Sequence, residues 1–122
     1  MWTAHVEPDP IGISHVRSSA RTYLEASGVR DQLEPTLLVL SELAANAVWH
    51  GEPQVSATVI VAENSIRVEV DDASPAPPVV RDRDPHRVGG NGMLLVESLV
   101  SRWGVRQYPG DGKSVWAELP CG

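Results

Sequence analysis

The order in which the hydrophobic spacing changes along the chain constrains this fold more than any other feature. Apolar residues recur at helical spacing over 10–26 and again over 31–50. β-Branched residues then dominate 54–61 and 65–70, and the short link between these two segments predicts an antiparallel hairpin. Two successive helices followed by a hairpin argue against a doubly wound parallel sheet, in which strands and helices alternate.

Further predicted elements flank this central part. Residues 2–6 alternate apolar and polar side chains and predict a short edge strand, whereas 92–102 predict a third helix. Residues 103–108 and 114–119 predict a closing hairpin. Residues 73–91, between the first hairpin and the third predicted helix, contain four prolines and predict a long loop. Loops of this length are usually functional or disordered. The order β α α β β loop α β β predicts a two-layer α/β sandwich with three helices on one face of a largely antiparallel sheet.

Size, charge and cysteine content exclude several classes of protein. The 122 residues suit a single domain over 1–122. Ten Lys and Arg against sixteen Asp and Glu give a net charge of −6, which disfavours binding to nucleic acid. The single cysteine, Cys121, has no partner for an internal disulfide, and no apolar run has the length of a membrane span. We therefore expect a cytoplasmic protein that binds neither nucleic acid nor membrane.

Two polar residues interrupt the apolar surface of the second predicted helix. Glu42 and Asn46 are four residues apart and therefore share one face. Such a pair usually belongs to a solvated helix face, and that interpretation stays open, although the other residues of 43–47 are Leu and Ala. A carboxylate and an amide oxygen at this spacing can instead serve a hard cation and a water molecule, as phosphoryl transfer requires.

Two more features could contact a ligand. Asp72 follows the second strand of the first hairpin, where it is either a turn former or a carboxylate that accepts a hydrogen bond from an amine such as that of adenine. The sequence Gly-Gly-Asn-Gly over 89–92 precedes the third predicted helix. Glycines there permit close approach of an anion to the helix N-terminus, but they also occur as hinges.

Together these segments resemble the GHKL, or Bergerat-fold, ATPases, and within them the bacterial anti-sigma-factor serine kinases and similar stand-alone ATP-binding proteins. Residues 40–51 resemble the N box, 68–75 the first glycine box, 89–96 the second glycine box and 112–119 the closing strand. The resemblance implies a histidine-kinase-like ATPase fold, ATP and Mg²⁺ as cofactors, and an ATP lid over about 75–90.

The resemblance also implies roles for individual residues. Glu42 would be the catalytic base that orients or deprotonates the attacking hydroxyl, and Asn46 would ligate Mg²⁺. Asp72 would accept a hydrogen bond from the adenine amine, and Ser114 would complete the adenine pocket. Further contacts to the nucleotide are implied for four residues of the glycine boxes: Ser74, Gly90, Gly92 and Met93.

Two functions remain open on these residues. The first is a serine/threonine protein kinase that phosphorylates a STAS-type antagonist and, in its free state, sequesters a sigma factor, with a homodimer as its possible assembly. The second is a non-catalytic ATP-binding module that regulates a partner protein. Retention of Glu42 favours the kinase, whereas Ser74 and Ala76, where the first glycine box often has glycines, favour the module. The catalytic half of a histidine kinase is disfavoured, because no phosphoacceptor helix hairpin precedes these segments.

Overall fold

One antiparallel sheet and a layer of helices make up the parts of the chain that the computed structural model describes, which are residues 1–50, 54–73, 92–108 and 112–121. Within these parts the strands are β1 (Trp2–Val6), β2 (Val55–Val61), β3 (Ser65–Asp72), β4 (Arg102–Tyr108) and β5 (Gly112–Pro120), and the helices are α1 (Pro10–Ala26), α2 (Leu33–His50) and α3 (Gly92–Leu99). The predicted two-layer α/β architecture is confirmed.

The strands are ordered β1-β2-β3-β5-β4, and every neighbouring pair is antiparallel. The last strand of the sequence therefore lies between β3 and β4, next to the first hairpin. Val68 of β3 is opposite Val59 of β2 on one side and Ala117 of β5 on the other. This register brings the end of β3 next to the start of β5, where Asp72 is opposite Lys113.

Burial alternates along the central strand because successive side chains of a strand point to opposite faces. Ile66, Val68 and Val70 are buried in the core between the sheet and the helices. Arg67 and Glu69 point to the other side, which we call the outer face. Helix α2 contributes the largest helical share of the core, with five fully or almost fully buried apolar side chains: Leu37, Val39, Leu40, Leu43 and Ala44.

Local sequence sets both ends of α1. Asp9 is the N-cap, and its side chain accepts a hydrogen bond from the backbone N–H of Gly12, while Pro10 occupies the first helical turn. At the other end Gly28 adopts a φ of +79°, and the N–H of Val29 donates to the carbonyl of Leu24. A glycine in the left-handed region is the usual way to end a helix.

A charged cluster covers part of the outer face. Glu118 accepts hydrogen bonds from Arg67 at 2.8 Å and from Arg102 at 2.8 Å, which joins β3, β5 and β4. The Arg67 guanidinium also lies 4.5 Å from the centroid of the Trp116 ring. A Cβ on Gly104 would lie 2.7 Å from the same ring, so the missing side chain leaves space for the indole.

The bounds of six predicted elements need correction, two of them, β2 and β4, by one residue at the start. Helix α3 ends at Leu99 rather than at 102, because the N–H of Ser101 donates to the carbonyl of Glu118 and the chain joins the sheet there. Helix α2 begins at Leu33 rather than at 31. Strands β3 and β5 are longer than predicted, reaching Asp72 and beginning at Gly112, because each supplies the other with backbone partners.

Candidate functional site

Helix α2 presents Glu42 and Asn46 at the edge of its buried surface. Both residues are half-buried, and their neighbours Leu43 and Ala47 are buried in the core. Within the described part of the chain, no hydrogen bond or ion pair engages either side chain. The side chains of Glu42 and Asn46 are therefore not fully solvated, and among the described residues they belong to no salt-bridge network. Each has an oxygen that could contact a ligand.

Asp72 lies at the end of β3 on the face that the helices cover. It continues the buried series of Ile66, Val68 and Val70, and its side chain is only 1% exposed. The residue is paired in the sheet opposite Lys113 and does not form the turn that one interpretation of the sequence suggested. A carboxylate buried at this depth requires a partner that compensates its lost hydration.

Lys113 supplies a partner for that carboxylate. Its Nζ lies 3.1 Å from Oδ1 and 3.1 Å from Oδ2 of Asp72, and its side chain is 6% exposed. Sequence reasoning missed this residue. A signal was present, because Lys113 has the same parity in β5 as Val115 and Ala117, which also face the core.

Ser114 points to the outer face, away from Asp72. Its hydroxyl donates a hydrogen bond to a carboxylate oxygen of Asp71 and lies 3.2 Å from the hydroxyl of Tyr108. The structure therefore brings Asp72 together with Lys113, and Ser114 together with Asp71.

Of the remaining predicted site residues, two lie at the start of α3 and the others lie outside the described residues. Met93 is 4% exposed and packs in the core at the start of α3. Gly92 is the first residue of that helix. Ser74, Gly90 and the predicted lid over 75–90 lie outside the described residues.

Asn46 fits the role of a magnesium ligand. Mg²⁺ takes oxygen donors and is usually held by one or two protein groups together with water and phosphate oxygens. The amide of Asn46 offers such an oxygen, half-buried and one helical turn from the Glu42 carboxylate. Among the described residues, no group of three or more His, Cys, Asp or Glu side chains is placed to hold a metal ion.

The sequence profile of the histidine kinase-like ATPase domain family matches residues 6–119 of this chain. The chain belongs to this family. It is thus a member of the GHKL superfamily of ATPases, which confirms the resemblance seen in the four sequence segments. No functionally curated protein matches the sequence.

A solved structure supports the fold of this ATPase domain. The chain is similar to the histidine kinase domain of the blue-light activated histidine kinase from Erythrobacter litoralis EL346, with a TM-score of 0.50 and 20% identity. The similarity covers 90% of this chain and 59% of that one, so the ATPase domain spans less than two thirds of the matched structure. Within the described residues, none of its helices has both the length and the apolar character that crossing a membrane requires.

Proposed function

We propose that this ATPase domain is an ATP- and Mg²⁺-dependent serine/threonine protein kinase that acts as an anti-sigma factor in the cytoplasm. It phosphorylates a STAS-type antagonist protein, and in its free state it sequesters a sigma factor, with a homodimer as its assembly. The observation that carries this proposal is the Glu42 carboxylate, which is half-buried on α2 one turn from Asn46 and is engaged by no other described side chain.

The chemistry follows from these two side chains. Transfer of the γ-phosphoryl group of ATP to a serine would form a bond from the serine oxygen to the γ-phosphorus and break the bond from that phosphorus to the β,γ-bridging oxygen, with ADP as the leaving group. It requires that the hydroxyl be oriented in line with the γ-phosphate and that its proton be accepted. A carboxylate that pairs with no cation among the described residues keeps its lone pairs for that hydroxyl. Asn46, on the same face, would hold the Mg²⁺ that neutralises the phosphate oxygens. The proposal thus gives Glu42 a role in chemistry and Asn46 a role in nucleotide binding.

A second function, the non-catalytic ATP-binding module, is favoured by a different observation. The carboxylate of Asp72, which the resemblance assigns to the adenine amine, is paired with the Lys113 ammonium at 3.1 Å. If this pair weakens the contact to the base, the nucleotide binds with reduced affinity. Such binding suits a module that regulates its partner through a change in conformation and does not need to turn over ATP.

Phosphotransfer assays on Glu42→Ala and Glu42→Gln distinguish the two functions. Under saturating Mg·ATP with the STAS-type antagonist, we expect turnover to fall about 10²- to 10⁴-fold in both variants, because a general base acts mainly in the transition state. ATP affinity should stay within about threefold of that of the native chain, since Glu42 does not hold the nucleotide. Glu25→Ala, which removes an exposed carboxylate from α1, is the matched control and should behave as the native chain does.

Two results would overturn these assignments. Native protein that binds ATP and a sigma factor but transfers no phosphate would favour the non-catalytic module. Loss of ATP binding in Glu42→Gln, with thermal unfolding unchanged, would place Glu42 in the nucleotide site and remove its proposed role as the base.

A further inference from the structure

The buried pair of Asp72 and Lys113 has a consequence for how this domain reads a nucleotide base. Lys113 is not among the residues that the family resemblance assigns to the site. Its Nζ is 3.1 Å from each of the two Asp72 oxygens, so the ammonium lies in front of the carboxylate rather than beside one oxygen. A donor nitrogen lies about 3 Å from the oxygen that accepts its hydrogen bond, so an exocyclic amine that donates on this side of Asp72 would need the place of the ammonium.

The burial of the pair leaves a base little access to the carboxylate while the pair is closed. The side chain of Asp72 is 1% exposed and that of Lys113 is 6% exposed. A base amine can contact Asp72 by this route when the lysine moves aside. Lys113 is the second residue of β5, at the end of the sheet, and its flexible four-carbon stem permits such a movement towards solvent.

The two donors are not equivalent. Both donors form charge-assisted hydrogen bonds with the carboxylate, but only the ammonium adds the attraction between opposite charges, and a buried carboxylate that loses its cation is strongly destabilised. Replacing the ammonium by the neutral adenine amine therefore exchanges a stronger contact for a weaker one. The net gain from the amine should be small, even though the amine reaches a carboxylate.

We propose that Lys113 is a specificity-determining residue of the nucleotide site, whose ammonium occupies the amine-binding side of Asp72 and competes with the 6-amine of a purine nucleotide. The inference rests on the proposed function, because it concerns the base-binding part of the same ATP site. The domain should therefore discriminate only weakly between purine nucleotides with and without a 6-amine. Most of the affinity would come from contacts to the rest of the nucleotide.

The test compares ATP with purine riboside triphosphate, which lacks the 6-amine, by isothermal titration in the presence of Mg²⁺. The ratio of the two affinities cancels the contributions of the phosphates, the ribose and the metal. In the native chain we expect a ratio within about threefold, because the amine gains little. In Lys113→Thr we expect the ratio to rise to about tenfold or more in favour of ATP, since the Lys113 ammonium then no longer competes with the amine for the carboxylate.

Three control variants accompany the test. Lys113→Arg keeps a cation beside Asp72 and should keep the native ratio. The double variant Lys113→Thr/Asp72→Asn should lose the gained preference for ATP. Lys113→Gln keeps a neutral donor next to the carboxylate and serves if Lys113→Thr does not fold, in which case the same rise in ratio is expected. The affinity ratio of the native chain is already a test, because a strong preference for ATP would contradict the inference without any variant.

The outcomes separate the failure of this inference from that of the proposed function. A native chain that prefers ATP over the analogue by about tenfold or more overturns the inference, as does a folded Lys113→Thr or Lys113→Gln with an unchanged ratio. The latter result would identify Lys113 as a residue that only stabilises the fold. If the native chain and both variants bind neither nucleotide, the proposed ATP-dependent function fails, and this inference fails with it.

Discussion

Gly112 begins β5 directly before Lys113 and lies against the end of β3, and replacing it by alanine should destabilise the domain through two separable effects. The residue adopts a φ of +96°, which an L-residue adopts only with strain, at a cost of about 1–3 kcal/mol. A Cβ there would also meet backbone atoms of the adjacent strand end, among them the Asp72 carbonyl oxygen and the Cα of Ala73 at 2.6 Å. Relieving such a contact requires the strands to separate locally, which costs about 1–3 kcal/mol more.

The two costs together predict a loss of about 4 kcal/mol in the free energy of unfolding of Gly112→Ala. For a domain of this size, 1 kcal/mol changes the melting temperature by roughly 4 °C, so the midpoint should fall by about 15 °C. Thermal unfolding followed by circular dichroism measures this shift, and urea titration gives the free energy independently.

Two other glycines separate the conformational cost from the steric one. Gly28 has a φ of +79°, but no atom lies within 4 Å of the place that a Cβ would take, so Gly28→Ala should lose only about 1–2 kcal/mol from backbone strain. Gly104 has no positive φ, yet its Cβ would lie 2.7 Å from the Trp116 side chain, so Gly104→Ala reports the steric cost alone. If Gly112→Ala costs no more than Gly28→Ala, the close approach of β5 to Asp72 is not a constraint on the fold, and the reasoning fails.

Three further predictions concern the side chains of Asn46, Thr36 and Glu118. Asn46→Ala should weaken ATP binding and abolish its dependence on Mg²⁺ in isothermal titration, and unchanged binding would remove Asn46 from the site. Among the described residues, the Thr36 hydroxyl is buried with no hydrogen-bond partner, so Thr36→Val should raise the melting temperature by roughly 4 °C, whereas Thr36→Ser should not. Hydrogen bonds from Arg102, and then from Arg67, lower the pKa of Glu118. This stabilisation is present above the unfolded-state pKa of about 4.3 and is lost as the pH falls through the lower folded-state pKa, so urea titrations should show the stability advantage over Glu118→Gln shrinking below about pH 4.

The sequence predicted the elements of this fold well because their signals are local. Helix α1 follows from the Asp9 cap, Pro10 and the terminal Gly28, all of which act within one turn of the helix ends. The end of α3 was predicted three residues too late. Apolar Val100 continues the helical pattern, but the chain leaves the helix because Ser101 bonds to Glu118, a residue whose proximity no local signal reveals.

Local spacing also predicts where two of the candidate site residues lie. Glu42 and Asn46 share a helix face by spacing alone, and the structure leaves both half-buried with no competing partner among the described residues. The environment of Asp72 depends on the register between β3 and β5, which is a contact between positions 72 and 113. A spacing rule within one strand does not supply that register.

A shift of one residue in this register would exchange Lys113 and Ser114 between the two faces of the sheet. Ser114 has the parity of Trp116 and Glu118, whose side chains belong to the outer face, whereas Lys113 has the parity of Val115 and Ala117. Val115 and Ala117 determine which face of β5 is buried. Exposing both apolar side chains to solvent would cost more free energy than burying one lysine that is paired with a carboxylate. A lysine on the buried parity then requires a buried anion, and Asp72 is the carboxylate directly opposite. The hydrophobic pattern of β5 thus places a cation beside the Asp72 carboxylate, and the role in nucleotide recognition proposed for Lys113 depends on this packing of the core.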